Sequence, residues 1–426
     1  MNTSHNSDNG LSPRDLAVLR RLAEQIRAAS QDPVNLERKQ AWHALDEGKD
    51  ERVMILAEFQ GIRDPIRPVP QESLECTDPW GRSIEGRLRD ELYPFEVLKD
   101  DHVIEPYFSV NWQITQSDYG VEVVQHYGGD ETHMGSRSWE PPLRDLDRDF
   151  AKLRPRGFTV NREETLRVKA RLESVFDGIL PVRIRGGFYW TLGLTQTAIE
   201  LIGLENLMVA MYDCPAGLHR VMAFLRDDAL ALIEWLEREN LYSLNNENDY
   251  IGSGSMGYTR ALPRAGWKDG QPVRRKDLWA LSESQETVGV GPDQFEEFVF
   301  PYQRDVVRPF GRCYYGCCEP VNNRWHVLKR IPNLARVSVS PWADQAFMAQ
   351  ALGRDYVFSR KPNPALISTG TFDEAAIRAD VRQTLDVARG CRLEMIMKDV
   401  HTLDNQPGRL ARWVRIAREE AEARAG

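Results

Sequence analysis

The stretch that decides the fold holds three of the six cysteines within six residues, and it reads Gly311-Arg312-Cys313-Tyr314-Tyr315-Gly316-Cys317-Cys318-Glu319-Pro320. A short apolar run that ends in Gly-Cys-Cys-Glu-Pro predicts a buried strand followed by a loop. The loop would bring thiols and a carboxylate to one place, and these are ligands that suit zinc. The alternative is that the cysteines are free thiols that pack in the core, as most lone cysteines do.

A strand followed by a polar loop and a helix recurs on both sides of this stretch. Eight strands are predicted, near residues 53, 181, 241, 279, 312, 336, 356 and 394. Each strand but the last is followed by a helix, which predicts parallel βα units, and eight such units predict an α/β protein built as a (β/α)8 TIM barrel. The alternative is a doubly wound open sheet, but no Gly-rich nucleotide fingerprint follows the first strand.

Two segments are predicted to lie outside the barrel itself. Ser12 and Pro13 mark the start of an amphipathic N-terminal helix, and a second helix is predicted over 35–45. Residues 1–11 are predicted to be a disordered tail, and 12–426 a single barrel domain. Residues 61–160 are rich in Trp, Pro and acidic side chains, and we expect them to form lid-like decoration over the barrel mouth. His126 and His133 lie there in a Gly-rich loop, where they could bind a metal or simply be solvated.

Composition argues against several classes of partner. The 426 residues carry a net charge of −9 and have no basic run, so nucleic acid and anionic membranes are not expected partners. No window of about 18 apolar residues predicts a membrane span, and the polar N-terminus has no apolar signal core. Six cysteines, two of them adjacent, do not resemble a disulfide framework. We therefore expect a cytoplasmic protein with free thiols or metal ligands.

Reactive side chains follow several of the predicted strands, and barrel active sites form at such C-terminal strand ends. The expected substrate-binding residues are Arg183, Arg185, Gln285, Trp342, Arg360 and Lys361. Basic side chains at a barrel mouth orient carboxylate or phosphate groups, so they predict a small anionic substrate. The alternative is that these cations pair with Glu283, Glu286 or Asp399 across the barrel end and bind nothing.

The order and spacing of the C-terminal half resemble the uroporphyrinogen decarboxylase superfamily. That superfamily also holds zinc methyltransferases that serve corrinoid proteins and the catalytic domain of cobalamin-independent methionine synthase. The resemblance covers roughly residues 41–422. It rests on Pro292-Asp293-Gln294-Phe295-Glu296-Glu297-Phe298 before the cysteine strand, on Lys361-Pro362-Asn363-Pro364 before Thr369-Gly370-Thr371, and on His401 before Gln406-Pro407-Gly408.

The resemblance implies a ligand set, with departures. In the zinc methyltransferases the equivalent strand ends in His-x-Cys and a further thiol follows the last strand. Cys317 takes the cysteine place, whereas Tyr315 stands in the histidine place and His401 at or near the late thiol place. Glu319 would supply the missing ligand. The Arg-Gln-Ala-Gly-Arg signature of the decarboxylases is replaced by the sequence from Ala57 to Arg63, which argues against uroporphyrinogen as substrate, although His401 matches a histidine of that branch.

The expected zinc ligands are therefore Cys317, Cys318, Glu319 and His401, and the expected catalytic residues are His401, Glu286 and Tyr315. The expected function is zinc-dependent methyl transfer between a small anionic substrate and a thiol, corrinoid or folate carrier, because a metal-held thiolate stays nucleophilic at pH 7. The alternatives are a metal-free or metal-assisted decarboxylase or lyase, and a non-enzymatic binding protein. The macromolecular partners compatible with these expectations are a corrinoid protein and a second copy of the chain in a homodimer.

Overall fold

The secondary structure is given by a computed structural model that describes residues 10–49, 52–128, 137–368 and 370–425. Its strands are β1 Met54–Ala57, β2 Phe108–Val110, β3 Gln113–Gln116, β4 Val124–Tyr127, β5 Arg137–Glu140, β6 Phe158–Asn161, β7 Val182–Ile184, β8 Tyr250–Gly252, β9 Ser255–Met256, β10 Trp279–Ser282, β11 Arg312–Tyr315, β12 Leu334–Val339, β13 Val357–Arg360 and β14 Arg392–Met397. The α-helices are α1 Pro13–Gln31, α2 Pro33–Glu47, α3 Pro79–Tyr93, α4 Arg162–Phe176, α5 Thr195–Ile202, α6 Leu204–Asp213, α7 Pro215–Arg238, α8 Pro292–Phe298, α9 Phe300–Val307, α10 Trp325–Leu328, α11 Gln345–Leu352, α12 Ala365–Ser368, α13 Glu374–Val387 and α14 Gly408–Ala425. A π-helical turn, Pro94–Leu98, follows α3, and short 3-10 turns lie at Gln71–Ser73, Asp149–Lys152, Arg275–Asp277, Gln285–Thr287 and Asn322–Arg324.

The N-terminal helix forms as its sequence predicts. Ser12 is the N-cap of α1 and accepts a hydrogen bond from the backbone N–H of Asp15, while Pro13 occupies the first turn. Leu19, Leu22 and other apolar residues at helical spacing are buried. This face packs against α3 and α4, so α1 belongs to the core of the protein.

A six-stranded parallel sheet forms the centre of the fold. Its strand order is β1-β14-β13-β12-β11-β10, and each neighbouring pair runs in parallel. Nearly every residue of these strands is buried. Burial on both faces is typical of a parallel sheet that is covered by helices. The mixed α/β class is therefore confirmed.

The strand predicted over 241–244 was wrong. This segment forms no strand. It lies beside β10 because the side-chain amide of Asn245 accepts a hydrogen bond from the N–H of Trp279 and donates one to the C=O of Trp279. An additional parallel strand, β2, comes instead from the segment expected to be decoration, and it pairs in parallel with β7. Within the described ranges, the parallel strands form an open six-stranded sheet and a separate pair, and no hydrogen-bonded ladder closes them into a barrel.

The outer edge of β1 is capped by two aspartates. Asp101 accepts a hydrogen bond from the N–H of Ile55 at 2.7 Å and donates its own N–H to the C=O of that residue. Asp100 accepts from the N–H of Ala57 at 3.0 Å. These carboxylates satisfy backbone groups that an edge strand would otherwise leave unpaired.

Small antiparallel pairs decorate the central layers. β3 pairs with β6, and β4 with β5, and apart from Asn161 at the end of β6 these strands lie within the segment 61–160 that was expected to be decoration. His126 lies 3.3 Å from the carboxylate of Glu140, whereas His133 and residues 1–9 of the expected tail lie outside the described residues. In the part of the chain that is described, no helix has the length and apolar character needed to cross a membrane.

Candidate functional site

The C-terminal ends of four parallel strands converge on a cluster of thiol, amine and carboxyl groups. Glu58 directly follows β1, and Lys398 directly follows β14. Lys361 directly follows β13, and Cys317 comes two residues after β11. Because parallel strands end at the same edge of a sheet, these side chains can act on one substrate.

The loop after β11 holds Cys317 in place. Gly316 turns the chain at a φ of +99°, a conformation that favours glycine, and an added Cβ would lie 3.0 Å from the Cβ of Ser338. The hydroxyl of Ser338 donates to the C=O of Cys317 at 2.8 Å. The carboxylate of Glu319 accepts from the N–H of Cys317 and from the N–H of Ser284, each at 2.9 Å. The thiol therefore sits on a loop that is fixed on several sides.

Cys317 has the environment of a reactive thiolate. Its sulfur lies 3.6 Å from the sulfur of Cys318 and 3.6 Å from the Nζ of Lys398. A hydrogen bond from the Cys318 thiol lowers the pKa of Cys317 most; burial opposes this, and the positive charge of Lys398 lowers the pKa further, to about 7. A large fraction of this sulfur is therefore ionised at neutral pH, and the thiolate is the nucleophilic form.

Lys398 remains a cation within this cluster. Burial works against its charge, but Cys317, Asp399 and Glu58 raise the pKa of its ammonium. Its Nζ lies 3.3 Å from a carboxylate oxygen of Asp399 and 3.4 Å from the hydroxyl of Ser253. Both Ser253 and Asp399 have positive φ, at 47° and 57°. Such backbone strain at non-glycine residues concentrates at functional sites.

Two further groups beside Lys398 have pKa values displaced toward neutrality. Burial raises the pKa of the Glu58 carboxyl, and the charge of Lys398 only partly opposes this. Burial lowers the pKa of Lys361 to about 7, and its Nζ donates to the hydroxyl of Ser359. A carboxylic acid and an amine tuned in this way can exchange protons with a substrate at neutral pH.

His102 forms a dyad with Asp100 beside Glu58. Its Nδ1 lies 2.7 Å from the carboxylate of Asp100, which also caps β1. Burial opposes the charged imidazolium, but Asp100 raises the pKa of His102 above its ordinary value. Because the dyad orients the imidazole, His102 can hold or donate a proton at a defined position.

The structure brings only part of the expected zinc ligand set together. Cys317 and Cys318 are in contact, but both oxygens of Glu319 accept backbone hydrogen bonds. His401 is exposed, and its Nδ1 lies 3.4 Å from the C=O of Gly61. Across the described ranges, no group of three or more His, Cys, Asp or Glu side chains is arranged to hold a metal ion. These residues do not fit the expected ion, and the zinc site stays a prediction.

The other expected catalytic residues lie apart from Cys317. Tyr315 is buried, and its hydroxyl donates to Gln303 at 3.1 Å and accepts from Ser284 at 2.9 Å. Glu286 accepts a hydrogen bond from the hydroxyl of Thr195 at 2.7 Å. Tyr315 is therefore held inside the core, whereas Glu286 lines a surface pocket.

Three of the expected residues line that pocket beside the thiol of Cys318. Gln285, Glu286 and Trp342 line a cavity of 410 Å³ together with Cys318 and Pro320. Trp342 is 69% exposed. An exposed aromatic side chain next to the thiols offers a flat apolar surface to an incoming molecule.

Two of the expected basic residues are already paired with carboxylates. Arg185 donates to Asp249 from its Nε at 3.0 Å and lies 3.3 Å from Glu247. Arg360 is buried and forms an ion pair with Asp380 of α13 at 3.4 Å. Pairing was the alternative expected for these cations, although the partners differ from those expected.

The remaining two basic residues are placed differently. Arg183 is exposed, and its guanidinium lies 4.5 Å from the centre of the Tyr107 ring. Lys361 belongs to the cluster around Lys398. Of the six expected substrate-binding residues, Lys361 is the one placed beside Cys317.

Sequence reasoning missed Glu58, Lys398 and His102. The first two directly follow the first and the last predicted strands, so reading every strand end for charged residues would have found them. His102 lies in the loop after the π-helical turn, where no sequence signal indicates that the chain returns to the end of β1.

Comparisons with known proteins give little beyond this geometry. No protein-family model matches the chain, and no curated protein matches it. Among solved structures, a methyltransferase from Methanosarcina mazei is similar over 90% of this chain and 98% of its own length, with 12% sequence identity and a TM-score of 0.49. A likeness at this level does not indicate the activity of this chain.

Proposed function

We propose that this chain is a methyltransferase in which the Cys317 thiolate is the nucleophile. The observation that carries the proposal is the 3.6 Å contact between this sulfur and the ammonium of Lys398 at the ends of the central strands. A thiolate is a strong nucleophile toward carbon, and a neighbouring cation keeps it ionised at neutral pH.

Burial of the sulfur favours a small transferred group. The side chain of Cys317 is only 6% exposed. In a direct displacement, the attacking atom must approach carbon from the side opposite the leaving atom, so a recessed nucleophile reaches an unhindered carbon best. A methyl group is the smallest carbon group that can be transferred in this way.

In the proposed step, the sulfur forms a bond to the methyl carbon while the bond from that carbon to the leaving atom breaks. The leaving atom keeps the electron pair, and Cys317 becomes a neutral thioether. Lys398 then loses one counterion but retains the carboxylate of Asp399 at 3.3 Å. A second substrate with a strong nucleophile, a reduced corrinoid or a thiolate, must then form a bond to the methyl carbon with its own electron pair. The electron pair of the broken carbon–sulfur bond stays on the sulfur and restores the thiolate.

The exposed Trp342 supports a role for a large second substrate. Trp342 and Pro320 form an apolar wall beside Cys318, the immediate neighbour of the nucleophile. A flat carrier such as a corrinoid ring could stack on an exposed indole at this place. The acidic protein has no basic run that would favour a nucleic-acid partner instead.

Decarboxylation is the second candidate, and a separate observation favours it. Glu58 has a raised pKa and lies beside the charges of Lys398 and Lys361. The lysines would hold a substrate carboxylate, and the bond from the neighbouring carbon to the departing carboxylate would break to release carbon dioxide. The electron pair left on carbon would take the proton of Glu58, which is replaced from solvent.

The test uses two methyl donors of different chemistry. Purified protein is incubated with methylcobalamin or with trimethylsulfonium, and the peptide that contains Cys317 is analysed by mass spectrometry. We expect methylation of Cys317 with at least one donor, no methylation at this position in Cys317→Ser, and unchanged methylation in Cys391→Ser, which alters a cysteine outside the cluster. If Cys317 stays unmodified with both donors, methyl transfer is overturned. Carbon dioxide release from a small carboxylate would then support the second candidate.

A further inference from the structure

Cys317 and Cys318 form a pair of adjacent thiols, and the proposed reaction uses only the first of them as a nucleophile. Their sulfurs lie 3.6 Å apart. A disulfide bond is about 2.05 Å long, so the two sulfurs would have to approach by roughly 1.5 Å to bond. Cys318 has room for this movement, because its side chain is partly exposed and lines the surface cavity beside Trp342.

The two thiols have the different surroundings that the two steps of thiol oxidation need. The sulfur of Cys317 lies 3.6 Å from the Nζ of Lys398, whose positive charge favours the thiolate, and the thiolate is the form that a peroxide oxidises. The sulfur of Cys318 lies 3.4 Å from a carboxylate oxygen of Asp399, which can take its proton. Cys317 is therefore suited to be oxidised first, and Cys318 to react second.

A disulfide between adjacent residues is easily reduced. Neighbouring Cα atoms are about 3.8 Å apart across a trans peptide bond, whereas disulfides usually join Cα atoms about 4.4–6.8 Å apart. This departure strains the bond, and strained disulfides are the labile ones. The backbone of Cys317 is also held by the hydroxyl of Ser338 and the carboxylate of Glu319, so movement of the loop relieves little of the strain. We therefore expect a reversible modification at this place and not a structural crosslink.

We propose that Cys317 and Cys318 form a reversible disulfide when a peroxide oxidises Cys317. In the first step, the thiolate sulfur of Cys317 attacks one oxygen of hydrogen peroxide. A sulfur–oxygen bond forms, the oxygen–oxygen bond breaks, and the departing hydroxide takes up a proton to become water. The sulfur has then given two electrons to the peroxide, and Cys317 is a sulfenic acid.

In the second step, the sulfur of Cys318 attacks the sulfur of this sulfenic acid. A sulfur–sulfur bond forms, and the sulfur–oxygen bond breaks. The proton of Cys318 passes by way of the Asp399 carboxylate to the departing hydroxide, which becomes water. The two steps together convert two thiols and one hydrogen peroxide into a disulfide and two water molecules. A dithiol such as dithiothreitol returns the two electrons and restores both thiols.

The disulfide would remove the thiolate that methyl transfer requires. Peroxide should therefore abolish methylation of Cys317, and dithiothreitol should restore it. This consequence rests on the proposed function, whereas formation of the disulfide does not.

Mass spectrometry of peroxide-treated protein tests the modification. Folded protein is treated with hydrogen peroxide, catalase removes the excess, and free thiols are alkylated with iodoacetamide in urea. Trypsin then releases residues 313–324, which contain Cys313 as well as Cys317 and Cys318. We expect this peptide to be lighter by two hydrogens and to carry an alkyl group on Cys313 alone. Dithiothreitol added before the alkylation should give alkylation of all the cysteines in the peptide.

Four variants assign the roles of the cysteines. In Cys318→Ser no disulfide can form, so Cys317 should accumulate as a sulfenic acid that dimedone traps, and then as a sulfinic acid. In Cys317→Ser, Cys318 should stay reduced. Cys313→Ala should keep the disulfide, which would show that the third thiol of the peptide takes no part. Cys391→Ser, the control outside the cluster, should behave as the wild type.

The outcomes separate the disulfide from the proposed function. Three results would overturn the disulfide: both cysteines of the wild type stay reduced, Cys317 proceeds to the sulfinic acid as in Cys318→Ser, or the bond formed includes Cys313. A disulfide in protein whose Cys317 accepts no methyl group from either donor would uphold the modification and overturn methyl transfer. Methylation of Cys317 in protein that forms no disulfide with peroxide would do the reverse.

Discussion

At the scale of single residues, the chemistry of the site depends on which neighbour supports the charge of Cys317. Cys318 has one thiol proton, and it lies 3.6 Å from Cys317 and 3.4 Å from a carboxylate oxygen of Asp399. It can donate to only one of them at a time. Lys398 acts continuously through its charge, so we expect it to add to the amount of thiolate that the hydrogen bond from Cys318 stabilises.

Replacing Lys398 by methionine should raise the pKa of Cys317. Methionine keeps the apolar stem but removes the charge, and an opposite charge at this distance changes a pKa by about one to three units. The rate of alkylation by iodoacetamide, followed at Cys317 by mass spectrometry, should have its midpoint near pH 7 in the wild type and at higher pH in Lys398→Met. Lys329→Met, at an exposed position, should leave the midpoint unchanged. An equal midpoint in Lys398→Met would show that Lys398 does not stabilise the thiolate.

Replacing Glu319 by glutamine should destabilise the loop that carries Cys317. The glutamine oxygen can accept from one of the two backbone N–H groups, but its NH₂ group would face the other and leave a buried donor unpaired. We expect the free energy of unfolding in urea to fall by about 1–3 kcal/mol. Glu122→Gln, which is exposed, serves as the matched control. Elemental analysis of the wild-type sample in the same series tests the zinc site that the sequence predicts.

At the scale of elements, side-chain hydrogen bonds satisfy backbone groups at the outer edge of β1. Asp101 is fully buried and joins β1 to α14, because it accepts from Ile55 of the strand and from the guanidinium of Arg418 at 3.0 Å. Arg52, just before the strand, donates to the same carboxylate at 2.8 Å. The side chain of Asp101 therefore links β1, Arg52 just before β1, and α14.

Asparagine at position 101 should lower stability at neutral pH and have less effect in acid. Burial alone would raise the pKa of Asp101, but the hydrogen bonds and charge of Arg52 and the charge of Arg418 bring it below its ordinary value. The carboxylate therefore stabilises the fold above about pH 4, and this contribution is lost as the pH falls through the depressed folded pKa. We expect Asp101→Asn to cost about 2–3 kcal/mol at pH 7, since both arginines are partly exposed.

Urea unfolding at pH 7, 5 and 3.5 measures this difference. The difference in the free energy of unfolding between wild type and Asp101→Asn should narrow at the lowest pH, where the aspartate of the unfolded chain begins to take up a proton. Asp269→Asn, an exposed control, should track the wild type throughout. A gap that is constant over the whole range would mean that the ionised form of Asp101 does not stabilise the protein.

The elements that local sequence predicts are those with local causes. Ser12 and Pro13 define the start of α1 without help from the rest of the chain. Residues 292–307 form two helices, α8 and α9, which meet at Val299 near the proline in the first turn of α9. β2 has only three residues, and its strand character comes from pairing with β7 more than seventy positions later. Because the partner strand is so distant in the sequence, the local sequence of β2 has no hydrophobic periodicity that would predict a strand.

At the scale of the whole molecule, the candidate site is assembled from segments far apart in sequence. The predicted strand ends locate Cys317 and Lys361 correctly as residues at one edge of the sheet. The predicted barrel also places its first strand beside its last, as β1 and β14 are, but the sequence does not show that this pairing brings Glu58 toward Lys398. Nor does it show that Glu319 faces backbone amides. Thiols beside a carboxylate in the sequence predicted a metal site, whereas in the structure the ammonium of Lys398 is the positive charge beside the sulfur of Cys317.

During synthesis on the ribosome, β1 emerges long before its neighbour in the sheet exists. Met54 pairs with Glu394, 340 residues later. At roughly 5–20 residues per second, the partner strand arrives on the order of 20–70 s after β1. In that interval four residues that are fully buried in the finished protein have no β14 to cover them. Trp42 and Leu45 of α2 share a core cluster with Met54 and Leu56 and emerge earlier, so they can shield one face of the waiting strand from nascent-chain aggregation.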